Sequence, residues 1–411
     1  MAVLISKDLT AADIYNGSSV FTDYLAGYNS TIVRWGTTLA KTIKTGEIWF
    51  NISMKFVDLV PLNNVVEFDC YEVIKTLFGS FDDFLSYQTS EVIKYDGNLF
   101  NLHAVKLVVN YTDNTSENVD ITGKFTRAVR QHTDMSNGMF YFTGAGPYPH
   151  FTNLLMKAPR KKDWFTQQIR IFKGYPLDVS LIGPTANNYL NFTLYNNVTG
   201  LVGNSGYTIT VPGGSRTNKE VQRIVLSDGM NLHSLLAANP GVTKGYLQID
   251  HLVSDVGAIT NLYSFAFDIA DECGVYIKWI NSCGGWSYWL FNKNTRNLIT
   301  TKAKGTINSN AGQLGYNADE KNIGFDSDEK LQVVTQGVEK WTLDQLLDIP
   351  TSPCVYLYLK PRGVWAYENG NSDVWLKLPT ISNFKYSLKA ESTLYNIGFE
   401  FQLPKIYTQT L

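Results

Sequence analysis

Apolar and polar positions alternate with a period of two along much of this chain. Gly46–Phe56 (GEIWFNISMKF) and Leu102–Tyr111 (LHAVKLVVNY) are rich in β-branched and aromatic residues, and the second run closes on the turn signal Thr112-Asp113-Asn114. Phe125–Val129, Met139–Thr143, Ile169–Phe172, Leu190–Tyr195, Tyr207–Val211, Val221–Leu226 and Tyr246–Leu252 follow in the same style. Short strands parted by Gly, Asn and Pro turns predict a mainly β protein with two or more antiparallel β-sandwich or barrel domains. The plainest alternation lies at the C-terminus. Phe384, Tyr386 and Leu388 share one face, and after a polar turn Tyr395, Ile397, Phe399, Phe401 and Leu403 return on the matching face. That pattern predicts an antiparallel pair with one buried side.

Helical spacing is rare and brief. Val66–Asp69 reads as strand, and Tyr71–Phe78 then places Val73, Ile74, Leu77 and Phe78 on one helical face. A second helix is expected over Asn231–Ala238, stopped by Asn239-Pro240-Gly241. A third is expected over Thr342–Ile349, with Thr342 and Gln345 at capping-box spacing. Each follows a strand, without any repeat of residues.

The 411 residues exceed one ordinary domain. Between Gly144 and Pro184 glycine and proline accumulate, which sets the expected boundary: residues 1–165 and 166–411, with a connecting segment around Pro159–Lys173 and a further division near 260 left open. Residues 292–328 lack the period, are rich in Asn, Gly and Lys, and read as a long surface loop.

Composition narrows the function classes. A hydrophobic share of 44% and an aromatic share of 13% support a packed interior. Only 18% of residues are charged, so a surface of Asn, Thr, Ser and Tyr is left that suits contact with other protein. The net charge of −2 lacks the footprint of a dedicated nucleic-acid binder. Arg160-Lys161-Lys162 is the one dense basic cluster, read as a solvated loop or a contact for an acidic partner. Met1–Leu9 has neither a basic start nor a long apolar run, so no targeting segment is expected. No run nears the about 18 apolar residues that span a bilayer. The expected setting is soluble, in a cytoplasm. Asn-x-Ser/Thr triplets at Asn16, Asn29, Asn51, Asn110, Asn191 and Asn197 then reflect β composition only.

Catalytic and metal chemistry finds little footing. Cys70, Cys273, Cys283 and Cys354 have no zinc spacing and read as buried reduced thiols, with Cys70 and Cys273 in strand-like runs. The histidines at 103, 132, 150, 233 and 251 form no i, i+4 pair. No Gly-Lys-Ser/Thr triplet ends a phosphate loop, Gly144-Ala145-Gly146 reads as a turn, and Gly203-Asn204-Ser205-Gly206 reads as a hairpin turn. Asp326-Ser327-Asp328-Glu329 begins like a calcium loop, but Lys330 takes the third ligand position, so a solvated turn is expected. No catalytic residue, cofactor or metal is assigned.

The strongest local feature is Tyr276–Phe291, YIKWINSCGGWSYWLF. Gly284-Gly285 supplies a tight turn or bulge between two aromatic strands, with the positive φ expected at Gly285. Exposed, these rings would form a platform for stacking sugars. Buried, they would fill a core or a subunit contact, the reading that Ile277, Ile280 and Leu290 favour. Trp279, Gly284, Gly285, Trp286, Trp289 and, from the closing strand, Phe399 are the candidate packing or assembly residues.

Four segments resemble β-rich tail proteins of tailed phages that infect Bacteroidetes, crAss-like phages among them. These are Lys173–Ser180 (KGYPLDVS), the hairpin with Trp279, Asn281, Gly284-Gly285, Trp286 and Trp289, the strand-and-helix layout from Thr342 through Val374–Leu378, and the closing Asn396–Phe401. The resemblance covers roughly the C-terminal 60% of the chain. It implies a structural tail subunit (ring, hub or baseplate-like) that is not an enzyme. The implied partners are copies of itself and other tail or portal-proximal proteins, with DNA passing a near-neutral lumen without specific binding and no membrane. The virion tail is the implied location, after synthesis in the host cytoplasm. Two rival expectations stand beside it: a tail fibre or receptor-binding protein that holds host glycan on the aromatic hairpin, and a glycan-degrading enzyme whose carboxylates the fold brings together.

Overall fold

Alternation becomes sheet wherever one face can be covered. In the computed structural model, the described residues are 3–8, 20–26, 31–36, 41–50, 54–78, 93–95, 100–127, 153–154, 169–173, 175–182, 188–196, 200–201, 209–210, 221–226, 238, 241–251, 263–268, 274–308, 320–359, 374–387 and 394–404. The protein is mainly β, with several antiparallel sheets and few short helices. It divides into one unit of residues 1–168, 176–267 and 280–287, and a second of residues 169–175, 268–279 and 288–411.

In the first unit, β1 (Val3–Asp8) lies parallel to β3 (Thr31–Gly36), and β3 pairs antiparallel with β6 (Val65–Asp69). A five-stranded sheet runs in the order β2 (Val20–Ala26), β9 (Ser116–Thr126), β8 (Phe100–Tyr111), β4 (Ile43–Phe50), β5 (Met54–Leu59). Its β2–β9 pair is parallel, so the expected antiparallel order has exceptions. Trp35, Ile43, Ile48, Phe50, Val66, Leu107, Val109 and Tyr111 share one buried core with Val73, Ile74 and Phe78 of α1 (Tyr71–Leu77). Two sheets and a helix therefore close over one interior, in the manner of a sandwich.

Gly46 makes the close approach possible. A Cβ there would stand 3.0 Å from Cγ1 of Val66, a stiff β-branched side chain. A register shift between Ile43 and Thr45 inserts one residue, which lets Ile43 and the 46–48–50 series face the same core. Asn63 and Asn64 both take positive φ in the tight turn that enters β6, and the Asn64 amide accepts from Ile43 N–H and donates to the Lys41 carbonyl. Buried Arg127 donates to the Phe78 carbonyl at the C-terminal end of α1, where carbonyls lack helical partners.

Two smaller sheets complete the first unit. One has the order β10 (Asn153–Leu154), β12 (Asp178–Ile182), β16 (Val221–Val225), β7 (Ile93–Tyr95). In the other, β18 (Tyr263–Asp268) pairs with β17 (Val242–His251) and β17 with β13 (Asn188–Asn196). β14 (Gly200–Leu201) and β15 (Ile209–Thr210) both pair with β13.

The second unit begins with β11 (Ile169–Phe172). Its aromatic sheet has the order β20 (Trp286–Phe291), β19 (Val275–Ile280), β23 (Val355–Leu359), β24 (Val374–Leu378). A second sheet has the order β21 (Lys293–Asn308), β22 (Glu320–Glu339), β26 (Leu394–Gln402), β25 (Thr380–Ser387). Leu331, Val333 and Thr335 of β22 are buried opposite Phe401, Phe399 and Ile397 of β26. A bulge at Gly337, whose φ is +67°, then shifts the phase so that Val338 is buried too. α2 (Lys340–Leu346) buries Leu343 and Leu346, and a 3-10 turn follows at Ile349–Thr351.

Several expectations are corrected. Residues 293–308 and 320–328 are not a surface loop but two long paired strands, because cross-strand hydrogen bonding needs no apolar alternation. Asp326–Glu329 is no turn; it lies in β22 opposite Ile299–Lys302. Glu339, with extended backbone, is the N-cap of α2, and Thr342 sits buried inside the helix and caps nothing. Cys70 is the buried N-cap of α1, not part of a strand. The C-terminal pair is found as an antiparallel ladder, as expected, and its register sets Phe384 opposite Phe399 and Tyr386 opposite Ile397. Tyr395 and Leu403, however, are only half-buried. The strand over 139–143, the helix over 231–237, Arg160–Lys162, Gly144–Gly146, Gly203–Gly206, Cys273, His132, His150 and His233 lie outside the described residues. Among the described residues no helix is long and apolar enough to cross a membrane.

Candidate assembly surfaces

The aromatic hairpin turns on Asn281, which the sequence reading quoted without giving it a role. Its N–H donates to the Gly285 carbonyl at 2.8 Å, and its carbonyl accepts from Gly284 N–H at 2.9 Å. Its side-chain oxygen accepts from the Cys283 and Gly285 amides at 2.9 and 3.2 Å, and its side-chain nitrogen donates to Ser287 Oγ. One Asn side chain thereby satisfies the turn's backbone donors in a buried site. The left-handed position is Gly284, with φ +86°, and not Gly285 as expected.

The candidate residues Trp279, Trp286, Trp289 and Phe399 are 1%, 0%, 4% and 3% exposed. A ring with no open face cannot stack on a sugar, so this hairpin offers no platform of that kind. In the second unit, Tyr276 stands 4.5 Å from Tyr175, 6.0 Å from Tyr288 and 5.9 Å from Trp375, centroid to centroid. Phe172 meets Trp289 edge-on at 5.4 Å, and Phe291 meets Phe399 at 5.6 Å. Buried Lys278 places its ammonium 4.2 Å from the Trp375 ring centroid and 5.2 Å from that of Tyr356. The cation is thus set against ring faces in a dry site, where such contacts are strongest. In the first unit, Arg223 makes a two-pronged bond to Asp178, 2.8 Å on each prong, with both side chains buried. The Trp286 ring lies 5.2 Å from that guanidinium.

Lys278, Asp178 and Arg223 escaped the sequence reading. The available signal was a lone charge inside a largely apolar strand, Lys278 in VYIKWI, Asp178 in DVSLI and Arg223 in VQRIV. All three serve packing through charge-assisted contacts.

The outward surfaces differ in kind. On β5, the outer strand of its sheet, Met54 and Phe56 are 62% and 51% exposed, and Val60 and Leu62 just beyond are 89% and 76% exposed. These side chains form an exposed apolar strip along the outer strand of that sheet. In the second unit, residues 296–302 of β21 are all exposed, including neighbours Leu298 and Ile299. Consecutive strand residues point to opposite faces. Both faces of β21 are therefore open over this stretch, while Leu331, opposite Asn297 on β22, is buried.

Among the described residues no three of His, Cys, Asp and Glu gather into a metal-holding set. Burial, with the Asp69 carboxylate adding to it, pushes the Cys70 thiol up to about 12, which leaves it unreactive near neutral pH. The protein-family models give no match to the chain, and neither do the curated proteins.

Proposed function

We propose that the chain is a structural subunit of a bacteriophage tail, which works by assembling with copies of itself and with neighbouring tail proteins into a symmetric ring or hub. The observation that carries this reading is the β21–β22 ribbon. β26 pairs with β22 over Lys330–Glu339, so the described partners of Glu320–Glu329 lie on β21, apart from two bonds to the Glu329 carbonyl, from Leu403 N–H and from the Gln402 side-chain amide. Ten strand residues at about 3.4 Å each carry the ribbon on the order of 30 Å past the sheet. A lone two-stranded ribbon is marginal in water, and an arm of this length, with Arg296–Lys302 exposed along β21, suits a neighbouring subunit. The resemblance of the C-terminal segments to phage tail proteins supplies the setting. The net charge of −2 suits a lumen that lets DNA slide by, since phosphate attraction grows with each Lys or Arg presented.

The test is to shorten the arm. Residues 300–328 are replaced by Asn-Gly, a two-residue turn that fits the facing pair Ile299 and Glu329. The expected result is a multimeric parent protein by native mass spectrometry, and a shortened chain with an unchanged melting temperature that stays monomeric. A parent that is monomeric at every concentration, or a shortened chain that assembles as well as the parent, overturns the proposal.

A further inference from the structure

Residues 54–62 of the first unit leave Met54, Phe56, Val60 and Leu62 open along one short segment, and Val60 and Leu62 are the two most exposed of the large apolar side chains described. At roughly 150–200 Å² for a large side chain, their exposed fractions amount to on the order of 500 Å². The largest apolar patch of an ordinary monomer is about 300–600 Å² and is commonly a contact site. The strip is also held in shape. Asn63 and Asn64, both at positive φ, close the turn, and Leu62 and Val65 exchange two backbone bonds of 2.8 and 3.0 Å. The Asn64 side chain ties that turn to Ile43 N–H and to the Lys41 carbonyl. The Phe56 ring is set edge-on against Phe50 and Phe68, at 5.6 and 5.9 Å. A preformed surface loses little conformational freedom when a partner covers it. Lys55, the one cation of β5, is compensated by Asp58 and Glu47 at 2.7 and 3.2 Å, so it does not oppose an apolar contact.

We propose that this strip is a second contact between copies of the chain, in which two β5 strands lie antiparallel across a two-fold axis. It rests on the assembly reading above and adds a pairwise contact to it. Two observations select a second copy as the occupant. The first is area. Two strips face to face bury about 1,000 Å², the lower limit of a specific interface. Such a contact is too small to hold chains together at dilution. It works between chains that the ribbon already keeps close, where the effective concentration is high. The second is self-complementarity. Turned about an axis between Phe56 and Val57, the strand Met54–Leu59 brings Met54 to Leu59 of the copy, Phe56 to Val57, and Lys55 to Asp58. Apolar residues meet apolar residues, and no like charges are opposed. Among the described residues no strand lies beyond β5 in its sheet, so its outer edge is open to this neighbour. A two-fold contact uses the same patch on both chains and joins them in pairs. The closed assembly therefore holds an even number of copies.

Met54→Lys, Val60→Glu and the two combined test this, at positions 62% and 89% exposed. Each single change is expected to leave the melting temperature unchanged and to weaken assembly at least about tenfold, because a charge enters an apolar contact. Two-fold pairing brings residue 54 of one chain to the Leu59–Val60 end of the other, whereas within one chain positions 54 and 60 are roughly 20 Å apart. The chain with both changes is therefore expected to regain parent-like assembly, with an even copy number by native mass spectrometry. Such recovery comes only from opposite charges that meet between chains. Single variants that assemble like the parent, a double variant that stays weak, or an odd copy number overturns the two-fold pairing. If the shortened ribbon still blocks assembly in those same hands, the assembly reading survives that failure. A parent that is monomeric at every concentration overturns both.

Discussion

Two hairpins follow each other in this chain and are opposites. β19–β20 has burial on both faces: Tyr276 to Ile280 are all buried, and so are Trp286 and Tyr288–Phe291. β21, in the next hairpin, has exposure on both faces from Arg296 to Lys302. Neither follows the alternation that marks a strand with one covered side. The first is a continuous apolar and aromatic run, the second a continuous polar one. Period two is a signature of one-sided burial and not of strand geometry itself. The difference separates two uses of a strand: the first hairpin commits its side chains to the fold, while β21 leaves a run of them in solvent.

The sharpest way to break that contrast is to place one new charge in each environment. Phe399→Asp removes a buried ring that meets Phe291 and leaves a carboxylate in its place. The expected loss is more than about 4 kcal/mol, read by urea unfolding, since cavity and unpaired charge add. Ile299→Asp, at a residue 62% exposed, is expected to stay within about 0.5 kcal/mol of the parent. Comparable losses would mean that the ribbon is folded into the core.

Next in size is the buried pair. Arg223→Ala leaves Asp178 charged and buried, for an expected loss of about 3–5 kcal/mol. Arg223→Lys should recover only part of it, because an ammonium cannot make the two-pronged bond. Full recovery with Lys would show that charge alone holds this site.

The smallest effect concerns the turn of the buried hairpin. Gly284→Val forces a β-branched residue to φ +86° and should cost about 1–3 kcal/mol by thermal melting. Gly285→Val, outside the positive-φ region, should cost less. A reversed order would place the left-handed position at Gly285 after all.

Much of the fold could be read from the residues. The C-terminal antiparallel pair was visible because β26 has one covered side; its register, Phe384 with Phe399 and Tyr386 with Ile397, came from the structure. The hairpin around Gly284-Gly285 was visible because turn residues interrupt two aromatic runs. The β21–β22 ladder was not. Polar Lys293–Asn308 resembles a loop in every local respect, and only its ladder to β22 makes it a strand. Asp178 and Arg223 were hidden for a related reason: 45 positions apart, they meet because β12 and β16 are neighbours in one sheet.

By itself, then, the sequence determined the mainly β character, the one-sided strands, the tight turns and the first short helix, since each follows from local sterics and local apolar period. The tertiary structure alone decided which strands are neighbours. It placed β22 beside β26 on one flank and β21 on the other, and put Lys278 against Trp375. Strand neighbours are chosen by backbone hydrogen bonds between distant segments and by side chains that must share one interior. Those terms are non-local, so no window along the chain contains them.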